Sequence, residues 1–356
     1  MSGTSLDGVD AALTEFSTQS NCQVIETFSV PFNDALRKEL LDLHQSGLNE
    51  LERTALASNT LAEIYAEAVH GLIKKAGISS DQVEAIGCHG QTIRHRPELG
   101  FTLQIGNAAL LAELTKLTVV SDFRSRDVAA NGQGAPLVPA FHQAVFAHPN
   151  INRVLINIGG IANLSVLHPD KAISGFDSGP GNMLMDAWAE KHTGQRFDEN
   201  GRWAMTGKVI DELLRLLLAH DFFELAPPKS TGRDLFSLNW LQGYLKSSYA
   251  PQDVQRTLLA FTAKTIADAV VTHAPHTQEI YLCGGGAYNA ALLEDLQQRL
   301  HPAKIALSDK LGIKVDAVEA AAFAWLARQT LLKAPGNLPA VTGADGPRVL
   351  GAIYAR

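Results

Sequence analysis

Apolar and polar positions along this chain switch repeatedly between the two-residue spacing of strands and the three-to-four-residue spacing of helices, and the switches mark its elements. A glycine-rich loop, Gly3 to Gly8, runs into the apolar segment Val9–Leu13, and a second extended stretch covers Gln23 to Val30. Helical spacing then dominates from Asp34 to about Lys75, carried by Leu36, Leu40, Leu41 and Leu61. The strand Val83–Ile86 leads into Gly87-Cys88-His89-Gly90-Gln91-Thr92, and a helix near 107–115 precedes the strand Leu117–Val120.

Between Asp122 and Pro139 the pattern breaks at Gly132, Gly134, Pro136 and Pro139, which predicts a hinge. The boundary is set at 130/131: a first domain over 1–130, to which the tail 341–356 returns, and a second over 131–340. In the second half Val154–Ile158 reads as a buried strand, Gly159-Gly160 as a tight turn and Ile161–Leu167 as the returning strand of a hairpin. A third strand ends at Phe176-Asp177, and Gly179-Pro180-Gly181-Asn182 opens a helix through Trp188. An insertion of mixed character follows over about 194–250. A helix at 252–273, the strand Ile280–Cys283, the turn Gly284-Gly285-Gly286, a helix Asn289–Leu300, the strand Lys304–Leu307 and a helix near 315–333 complete the unit. The two halves thus share an order of hairpin, third strand, helix, then alternating strands and helices.

Length and composition narrow the function. At 356 residues and 46% hydrophobic, the chain exceeds what one core usually supports. A net charge of −7 leaves no basic excess for a phosphate backbone, which excludes nucleic acid as a partner. The apolar runs 105–120 and 258–271 are interrupted by Glu113 and Lys116, or by Lys264 and Asp268, so no segment is expected to span a membrane. The N-terminus lacks the basic start and apolar stretch of an export signal, and Cys22, Cys88 and Cys283 are too few and too far apart for a disulfide framework. Together these point to the cytoplasm.

Several constellations could carry chemistry. Gly3-Thr4-Ser5-Leu6-Asp7-Gly8 offers close backbone approach, two hydroxyls and a carboxylate, which suits a triphosphate with Mg²⁺; an ordinary hairpin turn is the alternative. Asn157 to Gly160 with Asn163 is a second phosphate-facing candidate, again against a simple hairpin. Gly284-Gly285-Gly286 lies between a strand and a helix, where adenine or ribose could rest on bare backbone. A dinucleotide fingerprint fails because Asn289 stands where the third glycine belongs, and a P-loop fails because Val209 follows Lys208.

Asp177 ends a strand beside a helix start, so it is either a base projecting from the sheet or a helix cap. Arg124 and Arg126 could pair with an anionic substrate or remain structural charges. His89 and His95 have no carboxylate partner at metal-ligand spacing, and a hydrogen-bonded structural role competes with a functional one. Glu319 sits in an apolar helical stretch, exposed or functional.

Taken in order, Met1–Asp10, Gly87–His95, Gln133–Pro139, Asn157–Gly160, Gly175–Asn182, Pro228–Arg233, Cys283–Gly286 and Val341–Ala344 resemble the anhydro-N-acetylmuramic acid kinase family along nearly the whole chain. The resemblance implies an α/β fold of two RNase H-like domains of the actin/hexokinase/Hsp70 type, with an interdomain cleft. It implies ATP-dependent opening of a 1,6-anhydro sugar and phosphorylation of O6 in cell-wall recycling. Carried over by motif, the loop Gly3, Thr4, Ser5, Leu6, Asp7, Gly8, Val9 and Asp10 would hold the ATP phosphates, with Asn157, Gly159, Gly160, Gly284, Gly285 and Gly286 also on the nucleotide. Asp177 would be the general base, and Arg126, Glu319 and His89 would line the sugar site. Actin-like proteins place Asp-x-Gly where this chain has Met1-Ser2-Gly3, so Asp7 and Asp10 would take the Mg²⁺ role, through water. The partner is then a small sugar, and a homodimer is left open. A plain sugar kinase and a nucleotide-gated binding protein are the competing readings.

Overall fold

Gly8 opens the first strand because no side chain fits there: a Cβ would sit against the Val30 carbonyl of the neighbouring strand at 2.5 Å. That close approach zips β1 (Gly8–Phe16) to β2 (Cys22–Pro31) as an antiparallel pair running from Gly8↔Pro31 to Phe16↔Cys22. The computed structural model describes residues 1–3, 6–18, 21–232 and 235–356. Thr4 and Ser5 of the predicted phosphate loop, and Arg233, lie outside the described residues.

Two helices follow, α1 (Asp34–Asp42) and α2 (Glu50–Ala76). The continuous helical spacing expected over 34–75 is broken at 43–49, where the chain turns and Asn49 takes a left-handed conformation, φ 51°. On α2 the residues Leu61, Ala62, Tyr65, Ala66, Ala68 and Leu72 form one buried stripe, and Gly77 at φ 68° ends the helix in the left-handed cap that glycine adopts without strain. β3 is only Ile86–Gly87, shorter than the expected Val83–Ile86 strand and shifted past it, because a 3₁₀ turn takes 80–82. β4 (Gln91–Arg96) and β5 (Phe101–Ile105) make a second hairpin, then come α3 (Ala108–Thr115), β6 (Val119–Ser121), α4 (Ser125–Val128) and α5 (Val138–Phe146).

The next stretch is β7 (Arg153–Ile158), β8 (Ile161–Leu167), β9 (Ser174–Pro180), α6 (Met183–Thr193), α7 (Asp211–Leu218), α8 (Leu238–Gln242), α9 (Pro251–His273), β10 (Glu279–Cys283), α10 (Ala290–Arg299) and β11 (Lys304–Leu307). The chain then returns with α11 (Val318–Leu331), α12 (Pro339–Thr342) and β12 (Ala352–Tyr354).

Two units result: Met1–Phe146 with Asp316–Arg356, and Ala147–Val315. The boundary therefore falls at 146/147 rather than 130/131, and the returning segment begins at 316 rather than 341. The glycines and prolines of 132–139 are not a linker. Gly134 N–H donates to Asp127 Oδ2 at 2.8 Å, Gln133 N–H donates to the Thr342 carbonyl at 2.7 Å, and Phe141 packs on Phe146 and Trp325, all within the first unit.

In the second unit five strands lie in the order β11-β10-β7-β8-β9, with β8 antiparallel to both neighbours and β10 parallel to β7 and β11. This is the RNase H-like order, and its central strand explains itself: Val154, Leu155, Ile156 and Ile158 are all fully buried, as a strand covered on both faces must be. The core continues through Leu258, Phe261 and Ile266 of α9. In the first unit β3 and β6 pair in parallel, as β10 and β11 do, and β12 adds antiparallel to β6. There the described strands fall into three separate sheets. On the edge of β1 away from β2, Asp10 is paired with Met1 in both directions, N–H to carbonyl at 2.7 and 2.8 Å.

Candidate functional site

The second unit gathers its chemistry at one end of the sheet. Register places Cys283, Asn157, Asn163 and Asp177 side by side across β10, β7, β8 and β9, where β8 slips its pairing between Ala162 and Asn163. Cross-strand neighbours face the same side, so three polar side chains from three strands stand in one row.

Beside that row three glycine loops converge. The start of α6 is tied to the Gly159-Gly160 turn: Gly181 N–H and Asn182 N–H donate to the carbonyls of Gly160 and Gly159 at 2.9 and 2.8 Å. A Cβ on Gly181 would overlap the Gly159 carbonyl, one on Gly284 would overlap Asn157 Oδ1, and one on Gly286 would overlap Ile158. Gly284 has φ 80°, which favours glycine independently. Asn182, which the sequence reading left as a helix-opening residue, lies between the loops, with its Oδ1 2.6 Å from where a Gly286 Cβ would be. Its place was legible only as the residue after Gly179-Pro180-Gly181.

Asp177 is half-buried in the middle of β9, which runs on to Pro180 rather than ending at Phe176-Asp177, and burial pushes its carboxyl up to about 7, against the opposing pull of a hydrogen bond from the Thr231 N–H at 2.9 Å. Its own N–H donates to the Lys229 carbonyl at 3.0 Å. The Lys229 ammonium in turn donates to the Phe222 carbonyl at 3.1 Å and lies 4.7 Å from the Phe222 ring centroid, which anchors the 228–232 segment. Thr231 Oγ1 is buried and has no partner among the described residues. A carboxyl poised near neutrality, with a fixed donor on one oxygen, can take a proton from a water or hydroxyl.

The first unit holds a different set. His89 is buried against Phe323, ring centroids 4.5 Å apart, and its Nε2 accepts from Arg124 Nε at 3.0 Å. Burial, then the adjacent guanidinium, hold His89 well below the ordinary imidazole range, so it is the neutral ring with the proton on Nδ1. Arg124 Nη1 donates to the Gly134 carbonyl at 2.7 Å. Burial lowers Arg124 to about 10, with the charges of Glu319 and Asp127 acting in the opposite sense. Glu319 stands one turn before Phe323 on α11, so His89, Arg124 and Glu319 share one neighbourhood. Arg126 is exposed on α4, and the structure brings Arg124, not Arg126, to His89. His95 shares a hydrogen bond with Thr102 Oγ1 at 2.9 Å, and burial lowers it to about 4.

In the Gly3–Asp10 loop Leu6 is buried with φ 56°, a strained conformation for a branched side chain. Gly3 is held through its carbonyl by Gln91 Nε2 at 3.2 Å. Val9 is a core residue, Asp7 is exposed, and Asp10 Oδ1 accepts from Ser29 Oγ at 2.6 Å. Partial desolvation raises the Asp10 carboxyl, and the charges of Asp7 and Asp316 add to the rise.

A mixed α/β chain whose second unit has RNase H-like order, glycine loops at the sheet end and a near-neutral aspartate defines a candidate phosphotransferase class. The sequence model of the family described as anhydro-N-acetylmuramic acid kinase matches residues 1–356, and the chain belongs to that family. It is 58% identical to the anhydro-N-acetylmuramic acid kinase of Nitrosomonas europaea, over 99% of this chain and 98% of that one. It is 55% identical to the same-named protein of Nitrosospira multiformis, over 99% and 97%. Among solved structures, the ROK hexokinase of Thermus thermophilus matches at a TM-score of 0.33 and 14% identity, over 90% of this chain and 100% of that one.

Proposed function

We propose that this protein is an ATP-dependent kinase that opens the 1,6-anhydro ring of anhydro-N-acetylmuramic acid with water and phosphorylates O6, giving N-acetylmuramic acid 6-phosphate and ADP in cell-wall recycling. The observation that carries the reading, beside membership of the family, is Asp177: a half-buried carboxyl on β9 raised to about 7 and held by the Thr231 N–H. In this reading Asp177 takes a proton from water, and the oxygen attacks the anomeric carbon as the C1–O6 bond breaks. The O6 electron pair then attacks the γ-phosphorus, ADP leaves with the bridging oxygen, and Asp177 returns its proton to solvent. Positioning and charge neutralisation supply most of the phosphoryl-transfer step.

Asn157, Gly159, Gly160 and Gly284 to Gly286, joined by Asn182, are assigned to the nucleotide, because at Gly284 and Gly286 the backbone comes too close to Asn157 and Ile158 for any Cβ. Asp10 and Asp7 are assigned to Mg²⁺ held through water: desolvation, with the charges of Asp7 and Asp316 adding to it, raises Asp10, and a cation would oppose that rise. Bound there, Mg²⁺ would neutralise phosphate charge. His89, Arg124 and Glu319 are assigned to the sugar. A cytoplasmic location fits three buried thiols, Cys22, Cys88 and Cys283, that are not joined in disulfides. Among the described residues, no helix is long and apolar enough to cross a membrane.

A substrate panel tests the proposal. ADP release in the presence of anhydro-N-acetylmuramic acid, at one ADP per sugar consumed, is the expected result. ADP release only with reducing sugars makes the protein a plain sugar kinase and rejects ring opening. Nucleotide binding without sugar-dependent release makes it a binding protein.

A further inference from the structure

Arg124 is a cation in a half-buried place whose neighbours do not neutralise it directly. Among the described residues no carboxylate lies within ion-pair distance of it. Asp127, the acid three residues on, is fully committed elsewhere: its Oδ2 accepts from Gly134 N–H at 2.8 Å, and its Oδ1 accepts from Asn337 Nδ2 at 2.7 Å and Thr342 Oγ1 at 2.8 Å. Glu319 reaches Arg124 only through its charge.

Two neutral acceptors fix the guanidinium plane, His89 Nε2 on Nε and the Gly134 carbonyl on Nη1. They leave both Nη2 hydrogens and one on Nη1 without a protein acceptor among the described residues. A guanidinium carries five N–H donors, and the Nη1–Nη2 edge is the fork that takes a carboxylate through two parallel bonds. A partly desolvated charge held in one orientation without an anionic partner costs folding energy, which a ligand carrying the opposite charge would offset.

Resting on the kinase reading above, we propose that Arg124, oriented by His89, receives the lactyl carboxylate of the anhydro-muramyl substrate and sets the preference for muramyl over uncharged amino sugars. The lactyl ether supplies the only carboxylate of that sugar class. The ATP phosphates are the rival anion, but Glu319 and Asp127 place negative charge beside the fork, and their repulsion rises with the charge of the ligand. A single carboxylate is therefore favoured over a polyphosphate. His89 is a positioning residue: its neutral Nε2 holds the fork in plane without quenching its charge.

The test crosses a change in the protein with a change in the substrate. Anhydro-N-acetylmuramic acid and its lactyl carboxamide are turned over by wild type and by Arg124→Met, with KM measured for each sugar and for ATP. Wild type should favour the carboxylate by roughly 10- to 100-fold in KM, the range of a charge-assisted hydrogen-bonded pair. Arg124→Met should treat the two sugars alike and keep its KM for ATP. Arg124→Lys, which keeps charge but loses the fork, should retain a reduced preference, and it serves as the readout if the Met variant does not fold. A preference that survives in these variants, or a rise in KM for ATP alone, overturns the inference. Wild type that turns over both sugars equally refutes the inference and leaves the kinase reading standing. Wild type that releases ADP with neither sugar refutes both.

Discussion

The backbone N–H of Thr231 is hydrogen-bonded to Asp177 Oδ2 at 2.9 Å, so the carboxyl raised to about 7 by burial is held in one orientation by a segment fifty-four residues further along the chain. Because the base form is the deprotonated one, kcat/KM should rise with pH through about 7. A profile already flat from pH 5 upward would contradict the assignment of Asp177 as base.

Asp177→Asn keeps the shape of the side chain and removes its basicity. It should bind ATP and sugar as wild type does and lose roughly 10²-fold or more in kcat. Calorimetric titration with each ligand and initial rates decide the matter; near-native turnover rejects the role.

The same raised carboxyl has a consequence for stability. Its folded value, about 7, lies above the ordinary carboxyl value of 3.8, so between those pH values the folded chain holds a proton that the unfolded chain has lost. The associated stability is full below about 4 and disappears as pH rises through about 7. Asp177→Asn, which cannot ionise, should therefore gain on wild type by up to a few kcal/mol at pH 8 and show no such gain near pH 4. Denaturant unfolding at the two pH values measures this difference, and an equal gap at both would refute it.

How much of this was legible beforehand follows from where the signals lie. Asp177 stands out in the sequence because Phe-Asp-Ser-Gly-Pro-Gly is a local pattern, although the strand expected to end there runs on to Pro180. Which of Arg124 and Arg126 meets His89 could not be read from spacing, since both lie at a four-residue helix and His89 is thirty-five residues away from Arg124. The domain boundary was misplaced for a related reason. Gly132 and Gly134 look like linker punctuation, but a Cβ on Gly132 would overlap Asp127 Oδ2 and one on Gly134 would meet Val128, so both glycines belong to the packed first unit. The anchoring of Asp177 by residues 229–231 depends on a distant segment in an irregular insertion, which periodicity does not expose.

Asp127 supplies a stability test. It is fully buried and its oxygens take three donors, two of them from the returning C-terminal segment. Asp127→Asn turns one acceptor into a donor facing donors, and should cost about 2–3 kcal/mol of unfolding free energy. A loss below about 1 kcal/mol in chemical denaturation would show that these bonds do not fasten the segment.

Gly284→Ala tests the nucleotide assignment. The added methyl overlaps Asn157 Oδ1 in a backbone conformation, φ 80°, that alanine adopts only under strain. ATP affinity should fall roughly 10-fold or more while sugar affinity is retained, read by fluorescence or calorimetric titration. Unchanged ATP affinity would remove the triplet from the nucleotide site.

The central claim is that water opens the anhydro ring in the same reaction that phosphorylates O6, and the fate of a water oxygen tests it most directly. The reaction is run in ¹⁸O-water with anhydro-N-acetylmuramic acid and ATP, and the product is examined early by mass spectrometry against a product-only control for anomeric exchange. One ¹⁸O at C1 of the 6-phosphorylated sugar, above that control and with none in the phosphoryl group, is the predicted result. Label in the product phosphate, or an unlabelled anomeric oxygen, would contradict the account.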